Sequence, residues 1–452
     1  MTRSLLPSQL GYPTSIMSDT ASETITHVTC PFCGLACDDL VLTRLREGLK
    51  VSQNGCSISR NAFPLLSSTT PEAAPRVAGR ATSLENAVLA ASQLLSSSQA
   101  PLIGGLGTDV AGARAMLELA DRIGAVVDHM NMDAKLRNLL TLQNSGWITC
   151  TLAEVKNRAD FVLVIGAGAV QRFPRFLERA VWPALTMFGA DPAYRQVVFL
   201  GEVEGLDAAI PAHVSVPKRL HCEHRSLPIL VAALRALVNG QSLDASRLAD
   251  SDIAQLQELA AGLRAARYGV IAWAAADFNF NHAELTLQTL AELIKDINRD
   301  TRCVGLPLGG SDGDFSSNSV QTWQTGFPLR SRYGKQGLDY DPYRYGAEEL
   351  IAANEVDALV WVSSFSSART PPLTELPMIV LGPASMIFTR EPEVFIPVGT
   401  PGIHHGGYFV RADKVVVMRL QQLMDNSLPS VSDVTKKILQ SLYAYSSPHE
   451  QP

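Results

Sequence analysis

No apolar run in this sequence is long enough to cross a lipid bilayer. The longest, Phe161 to Val170, is interrupted by glycines and indicates a buried strand. Basic residues are not in excess either, because the net charge is −6, which argues against a general nucleic-acid-binding protein. Prolines at positions 7 and 13 interrupt the N-terminal stretch, so it does not resemble a secretory signal peptide. We therefore expect a cytoplasmic protein whose partners include neither a membrane nor a nucleic acid.

The composition is that of a large globular protein. Hydrophobic residues make up 46% of the 452 residues and charged residues 18%, so the chain can bury several cores. A length of this order predicts two to four structural units. The seven cysteines are expected to be free thiols or metal ligands, since a reducing compartment disfavours disulfides.

The pattern along the chain predicts an α/β fold with doubly wound parallel sheets. From residue 80 onward, short apolar strands alternate with helical repeats. The predicted strands lie at 101–104, 125–128, 161–166, 197–201, 269–274, 357–362 and 377–381, with close-set strands at 394–397, 408–411 and 414–418. The predicted units are a mobile arm (1–23), a small four-cysteine domain (24–66), an α/β domain (67–130 with 340–400), a second α/β domain (131–339) and C-terminal strands with a helix (401–452).

Four of the seven cysteines form a cluster in the sequence. Cys30, Cys33 and Cys37 lie within eight residues, Gly34 permits a tight turn between them, and Cys56 follows. Three close thiolates and one distant thiolate are typical of an iron–sulfur site, and a 4Fe-4S cluster is the leading prediction. A structural zinc site and a set of buried free thiols are the alternatives.

Several segments together resemble the B subunit of formylmethanofuran dehydrogenase. They are His27–Leu40 (HVTCPFCGLACDDL), Gly124–Asp128 (GAVVD), Cys150–Asp160 (CTLAEVKNRAD) and Thr322–Pro328 (TWQTGFP). They occur in the order of that family and span most of residues 27–420. The resemblance implies a molybdopterin-oxidoreductase-like fold that carries a tungsten or molybdenum pterin and an N-terminal four-iron cluster.

The sequence departs from this family at the catalytic metal. The family has a metal-binding cysteine, followed by a histidine, between the second and third of these segments. Counting back from Cys150 without gaps places Ala134 at the cysteine position and Lys135 at the histidine position. A methyl group cannot coordinate a metal, so we expect neither a tungsten nor a molybdenum pterin here, and no catalytic residue in this chain.

The departure is similar to that in the B subunit of bacterial formyltransferase/hydrolase complexes. These complexes move formyl groups from tetrahydromethanopterin to a furan-amine carrier of the methanofuran or methylofuran type and hydrolyse them to formate. The resemblance implies a non-redox scaffold and carrier-binding subunit, with an amidohydrolase-type hydrolase, a formyltransferase and the C subunit as partners. An active tungsten or molybdenum dehydrogenase subunit that uses another ligand is the first alternative.

Basic residues near the predicted strand ends suggest a site for the carrier. Lys135, Arg172, Arg175 and Arg330 are predicted to bind its glutamate-rich tail, with ordinary solvated side chains as the alternative. A second alternative function is an α/β dinucleotide enzyme, because Gly166–Gln171 follows a strand with a partial glycine fingerprint.

Overall fold

The computed structural model describes residues 23–446 apart from 69–73, 190, 204, 213, 215, 245–247 and 249. The predicted arm at residues 1–23 lies outside this range except for its last residue. None of the helices in the described part combines the length and the hydrophobicity that crossing a bilayer requires.

The strands follow one another along the whole described chain. In chain order they are β1 (Glu23–Val28), β2 (Leu40–Leu45), β3 (Gly48–Gln53), β4 (Arg76–Val77), β5 (Arg80–Ala81), β6 (Pro101–Gly107), β7 (Val126–Val127), β8 (Phe161–Ile165), β9 (Gln196–Leu200), β10 (Lys218–Leu220), β11 (Gly269–Ala274), β12 (Cys303–Leu308), β13 (Ser331–Gly334), β14 (Gly337–Tyr340), β15 (Ala358–Ser363), β16 (Met378–Gly382), β17 (Val394–Pro397), β18 (Gly407–Val410) and β19 (Val417–Leu420).

Helices separate most of the parallel strands. They are α1 (Ser57–Ser67), α2 (Leu84–Ser97), α3 (Val110–Ile123), α4 (Met132–Ser145), α5 (Leu152–Arg158), α6 (Gly168–Gln171), α7 (Leu206–Ala209), α8 (Leu227–Val238), α9 (Asp250–Ala265), α10 (Ala283–Ile297), α11 (Asp314–Thr325), α12 (Ala347–Ala352) and α13 (Val431–Ser446).

Two mainly parallel sheets form the body of the protein, which confirms the predicted α/β class. The first has nine strands in the order β14-β13-β7-β6-β15-β16-β17-β4-β5, and its five central strands are parallel. The second is entirely parallel, in the order β10-β9-β8-β11-β12. In β8 and β11 every residue is buried, because helices cover both faces of the sheet.

Capping groups fix the ends of the helices that lead to the site. At α3, the Asp109 carboxylate accepts the N–H groups of Ala111 and Gly112, and the helix ends at Gly124 in the left-handed region. At α5, Thr151 and Glu154 form a reciprocal capping box. The family-like segments Gly124–Asp128 and Cys150–Asp160 therefore contain a helix end and a helix start.

One predicted domain boundary separates strands that share a sheet. The prediction assigned residues up to 339 to the second α/β domain, but β13 pairs with β7 and so extends the first sheet. The hairpin of β13 and β14 therefore belongs to the sheet formed by residues 76–127 and 358–397. Sequence spacing did not show this pairing, because an antiparallel hairpin can join either neighbouring sheet.

The cysteine-rich unit packs directly against the second sheet. Its strands β1, β2 and β3 form an antiparallel sheet of their own. The loop that follows β1 lies against the turn after β12, and the main-chain oxygen of Gly34 accepts the N–H of Ala412 at 2.7 Å. This close contact places the cysteine loop beside the carboxyl end of β12.

Candidate functional site

A cavity of about 700 Å³ lies where the carboxyl ends of strands from both sheets meet. Its walls come from the segments that follow β8, β11, β12 and β15, and from the first turns of α4. Phe32 and Ile58 of the cysteine-rich unit form a further wall. Open α/β sheets bind ligands at this end of their strands, so this cavity is the candidate functional site.

Ala134 lies on the wall of this cavity, in the first turn of α4. It is only half-buried, and its neighbour Lys135 lines the cavity as well. None of the described residues that line the cavity is a cysteine or a histidine. The position predicted for the lost metal ligand therefore faces the cavity with a methyl group.

The charges on the cavity wall nearly balance. Four cations line it, and so do three carboxylates. The cations are Lys135, Arg137, Arg172 and Arg369, and the carboxylates are Asp133, Asp312 and Asp314. The cavity is therefore less basic than the sequence suggested.

Lys135 is held in a buried ion pair. Its Nζ donates to the main-chain oxygen of Asp314 at 2.7 Å and lies 3.4 Å from the Asp314 carboxylate. The ammonium group also lies 4.3 Å from the centre of the Phe315 ring. Burial lowers the pKa of Lys135 and raises the pKa of Asp314, while the attraction between the two charges opposes both shifts.

Arg175 does not line this cavity, and its predicted role in carrier binding stays a prediction. Its guanidinium is buried and makes two parallel hydrogen bonds to the Asp39 carboxylate, at 2.6 and 2.8 Å. Glu178 accepts further bonds from it. Arg175 thus joins the cysteine-rich unit to the second sheet by a bidentate ion pair, which leaves it no free charge for a ligand.

Arg330 does not line the cavity either, and its predicted role in carrier binding also stays a prediction. It is buried, pairs with Asp133, and lies 3.5 Å from the carboxylate of Asp128. Burial raises the pKa of Asp128 to about 7, although the positive charge of Arg330 opposes this shift. Both carboxylate partners are distant in sequence, so spacing alone could not reveal the pairing.

The other cavity cations are more available to a ligand. Arg172 is exposed at the carboxyl end of β8. Arg137 donates to Asn279 at 3.3 Å and is half-buried. Arg369, in the segment after β15, was not predicted, although the rule that selected Arg172 applies to it too: a basic residue shortly after an apolar strand.

The four clustered cysteines share one electrostatic neighbourhood. Burial raises the pKa of Cys33 to about 12 and that of Cys37 to about 11, and the Cys56 thiol contributes to both shifts. The pKa of Cys30 is raised by burial and by the other three thiols. Arg179 and Arg175 oppose the shift at Cys37, as positive charges do near a ligating thiolate.

This cysteine set has the donor type that an iron–sulfur cluster requires. In the described ranges, no group of three or more His, Cys, Asp or Glu side chains is placed so that it could hold a metal ion. The 4Fe-4S cluster at these residues stays a prediction.

The glycine turn after β8 is filled by a carboxylate. Asp277 accepts the N–H of Gly168 at 2.7 Å, and a Cβ added at Gly166 would lie 2.3 Å from the same carboxylate. A dinucleotide phosphate would occupy this position in a nicotinamide or flavin enzyme. A second negative charge beside Asp277 would be repelled, so the turn does not fit a dinucleotide.

The adjacent histidines of the C-terminal turn are structural. Nδ1 of His404 accepts the N–H of Thr400 at 2.9 Å, and the ring of His405 lies 3.2 Å from the Gly399 oxygen. Burial lowers the pKa of His404 to about 4, so it is neutral at pH 7. Both rings therefore bind the backbone of their own turn.

Comparison with known proteins decides the family. No protein-family model matches the sequence. The B subunit of tungsten-containing formylmethanofuran dehydrogenase 2 from Methanocaldococcus jannaschii is 24% identical over 420 residues, which cover 89% of this chain and 94% of the relative. The B subunit of the formyltransferase/hydrolase complex Fhc of Methylorubrum extorquens is 30% identical over 333 residues, which cover 73% of this chain and 86% of the relative. The chain belongs to the family of formylmethanofuran dehydrogenase B subunits.

A solved structure supports this family membership. One chain in the crystal structure of the formyltransferase/hydrolase complex from Methylorubrum extorquens, in complex with methylofuran, superposes with a TM-score of 0.70. The match is 26% identical and covers 82% of this chain and 99% of that chain. An unrelated dinucleotide enzyme is therefore excluded, in agreement with the filled glycine turn.

The cavity residues do not fit the metal pterin that part of this family carries. A thiolate ligand would have to come from the cavity wall, where the described residues offer Ala134 and no cysteine. Beside it, the Lys135 ammonium is paired with Asp314 and has no lone pair to offer a metal.

Proposed function

We propose that this chain is the non-redox, carrier-binding B subunit of a cytoplasmic formyltransferase/hydrolase complex in tetrahydromethanopterin-linked one-carbon metabolism. The observation that carries the proposal is Ala134, whose methyl group faces the cavity at the position predicted for the metal ligand. The relative from Methylorubrum extorquens is named as the B subunit of such a complex, and its solved complex contains methylofuran. Both findings support the proposal.

The proposed role of the cavity is to hold the acidic tail of the furan-amine carrier. Arg137, Arg172 and Arg369 come from three separate segments and line one cavity. Amide side chains accompany them, among them Gln171 and Asn279, and side chains of this type can donate hydrogen bonds to carboxylates. Such a site would bind repeated carboxylates mainly by charge, with little demand on ligand shape.

Tail binding would serve catalysis by proximity. In this proposal the hydrolase, the formyltransferase and the C subunit are the partners, and the first two contribute the active sites. A tail held by this chain raises the local concentration of the furan end at both of them. The four-cysteine site is proposed to be structural, because the proposed function needs no electron transfer.

The tail-binding role predicts that the arginines act together. Exposed ion pairs each contribute at most about 1 kcal/mol, so a single Arg→Ala change should have little effect. Changing Arg137, Arg172 and Arg369 together to alanine should increase the loss of carrier from the purified complex roughly tenfold or more. High salt should have a similar effect on the unsubstituted complex. The measurement is the carrier content of the complex after gel filtration.

A matched control replaces three exposed arginines that do not line the cavity. Arg80, Arg264 and Arg302 lie on the surface elsewhere. Their triple alanine variant loses the same charge and should keep its carrier. If the cavity variant assembles and retains its carrier as well as this control does, the cavity does not bind the tail and the chain is a scaffold alone.

A further inference from the structure

The carboxylate of Asp312 is paired with Arg369, one of the cations that line the cavity. Arg369 donates to it at 3.0 Å, and Nδ2 of Asn131 donates to it at 3.2 Å. The three residues come from three separate segments, the turn after β12, the loop after β15 and the start of α4. Arg369 also donates to Oδ1 of Asn131 at 3.3 Å, so Asp312 is one of the contacts through which these segments meet at the cavity wall.

The turn that carries Asp312 is fixed by its backbone. Asp312 has a φ of 53°, a left-handed conformation that aspartate tolerates better than most residues. Gly313 beside it also has a positive φ, and a Cβ there would lie 2.4 Å from the Thr108 oxygen. The carboxylate is therefore presented to the cavity by a turn that cannot easily withdraw it.

The buried side chain of His129 also holds this turn in place. Nδ1 of His129 accepts the N–H of Asn131 at 3.0 Å, which leaves Nε2 to donate to the main-chain oxygen of Asp312 at 3.2 Å. Asn131 also donates to the oxygen of Ser311 at 3.1 Å. The bonds from His129 and Asn131 to the turn reach its main-chain oxygens, so they do not depend on the ion pair of the Asp312 carboxylate.

The chain thus neutralises two of its own cavity cations. Asp312 pairs with Arg369 and Asp314 pairs with Lys135, so two carboxylates separated by a single glycine meet two cations. The two pairs differ in burial: the side chains of Lys135 and Asp314 are both about a tenth exposed, whereas that of Arg369 is 45% exposed. The pair of Arg369 is the one that a ligand can reach and exchange.

We propose that Asp312 is an internal competitor for the acidic ligand of the cavity. This inference rests on the proposed function, and it adds what limits the affinity of the cavity for the tail. A ligand carboxylate takes over the guanidinium of Arg369, and the displaced Asp312 carboxylate keeps its bond from Asn131. The exchange limits the affinity for the tail, so that the carrier binds and can still be released.

The test is binding of a fluorescently labelled hexaglutamate peptide to the full-length chain at low salt. Asp312→Asn keeps the size of the side chain and an acceptor for Asn131, but it removes the competing charge. We expect the affinity to rise roughly three- to tenfold. In an Arg369→Gln background the same change should have almost no effect, because the contested cation is gone.

Asp133→Asn is the matched control. Asp133 also lines the cavity, but its partner is Arg330, which does not line it. Asp133→Asn should change the affinity for hexaglutamate less than about twofold, both with arginine and with glutamine at position 369. Asp312→Ser also removes the competing carboxylate, and it replaces Asp312→Asn if that variant does not fold normally.

The outcomes separate this inference from the proposed function. If the unsubstituted chain and both Asp312 variants fail to bind hexaglutamate, the carrier-binding function is wrong. If the unsubstituted chain binds and the triple arginine variant does not, the site is real. In that case, an unchanged affinity in the Asp312 variants overturns the inference, and so does an equal gain with and without Arg369, which would indicate a general charge effect.

Discussion

Replacing Lys135 by methionine is expected to lower the free energy of unfolding by about 3–5 kcal/mol at neutral pH. Lys135 and Asp314 form a pair whose side chains are both about a tenth exposed. Methionine has a similar length but no charge, so the Asp314 carboxylate would remain buried without its hydrogen-bonded cation, with the Lys414 ammonium as a second positive charge nearby. Removing one partner of a buried ion pair costs more than the pair itself contributes, because the remaining charge stays desolvated.

The loss of stability in the Lys135→Met variant should be larger at high pH than at low pH. Burial already raises the pKa of Asp314, and without Lys135 the pKa rises further. A carboxyl group whose pKa is higher in the folded state than in the unfolded state contributes stability at low pH, and this contribution is lost as the pH rises through the folded pKa. The variant should therefore be least stable relative to the unsubstituted protein at about pH 8 and recover part of the difference near about pH 5.5.

Urea denaturation at the two pH values measures this effect. The double variant Lys135→Met, Asp314→Asn removes both charges and should regain most of the lost stability at the higher pH. A Lys135→Met variant that is as stable as the unsubstituted protein at both pH values would show that the pair is solvated rather than buried.

Replacing Gly34 by alanine should disrupt the packing of the cysteine-rich unit. The added Cβ would lie 1.7 Å from the Gly309 oxygen and 2.8 Å from its carbonyl carbon, and neither backbone atom can move aside as a side chain would. The Gly34 oxygen accepts the N–H of Ala412, so the loop is fixed from a second direction. We expect a loss of about 3 kcal/mol and faster proteolysis near the cysteine loop.

Gly269→Ala is the control for this prediction. Gly269 is also buried, but the nearest atom to its added Cβ is 3.6 Å away, an ordinary contact. Thermal unfolding should show a much smaller shift for this variant than for Gly34→Ala. Equal shifts would mean that the close contact between Gly34 and Gly309 is not part of the folded protein.

The sequence predicted the strands well where the apolar runs are uninterrupted. The predicted strands at 161–166 and 269–274 are confirmed, because completely buried parallel strands have a simple apolar pattern. Strand β12 was missed, since Gly305 and Pro307 break that pattern. Its position explains the proline: β12 is the edge of its sheet, where a missing N–H is tolerated.

The candidate site was predicted only in part. Lys135 and Arg172 line the cavity, but Arg175 and Arg330 are paired with carboxylates elsewhere. Whether a basic residue is free for a ligand depends on acidic residues that the fold brings to it, and these can be distant in sequence. Asp39 lies 136 residues from Arg175, and no local pattern indicates their contact.

The metal content of the complex tests the central claim most directly. The complex is purified anaerobically, assayed for formyl transfer, and analysed for tungsten and molybdenum per mole of this chain. We predict active formyl transfer with far less than one atom of either metal per chain, because Ala134 offers no ligand. A stoichiometric amount of pterin-bound tungsten or molybdenum on this chain would contradict the account and favour an active dehydrogenase subunit.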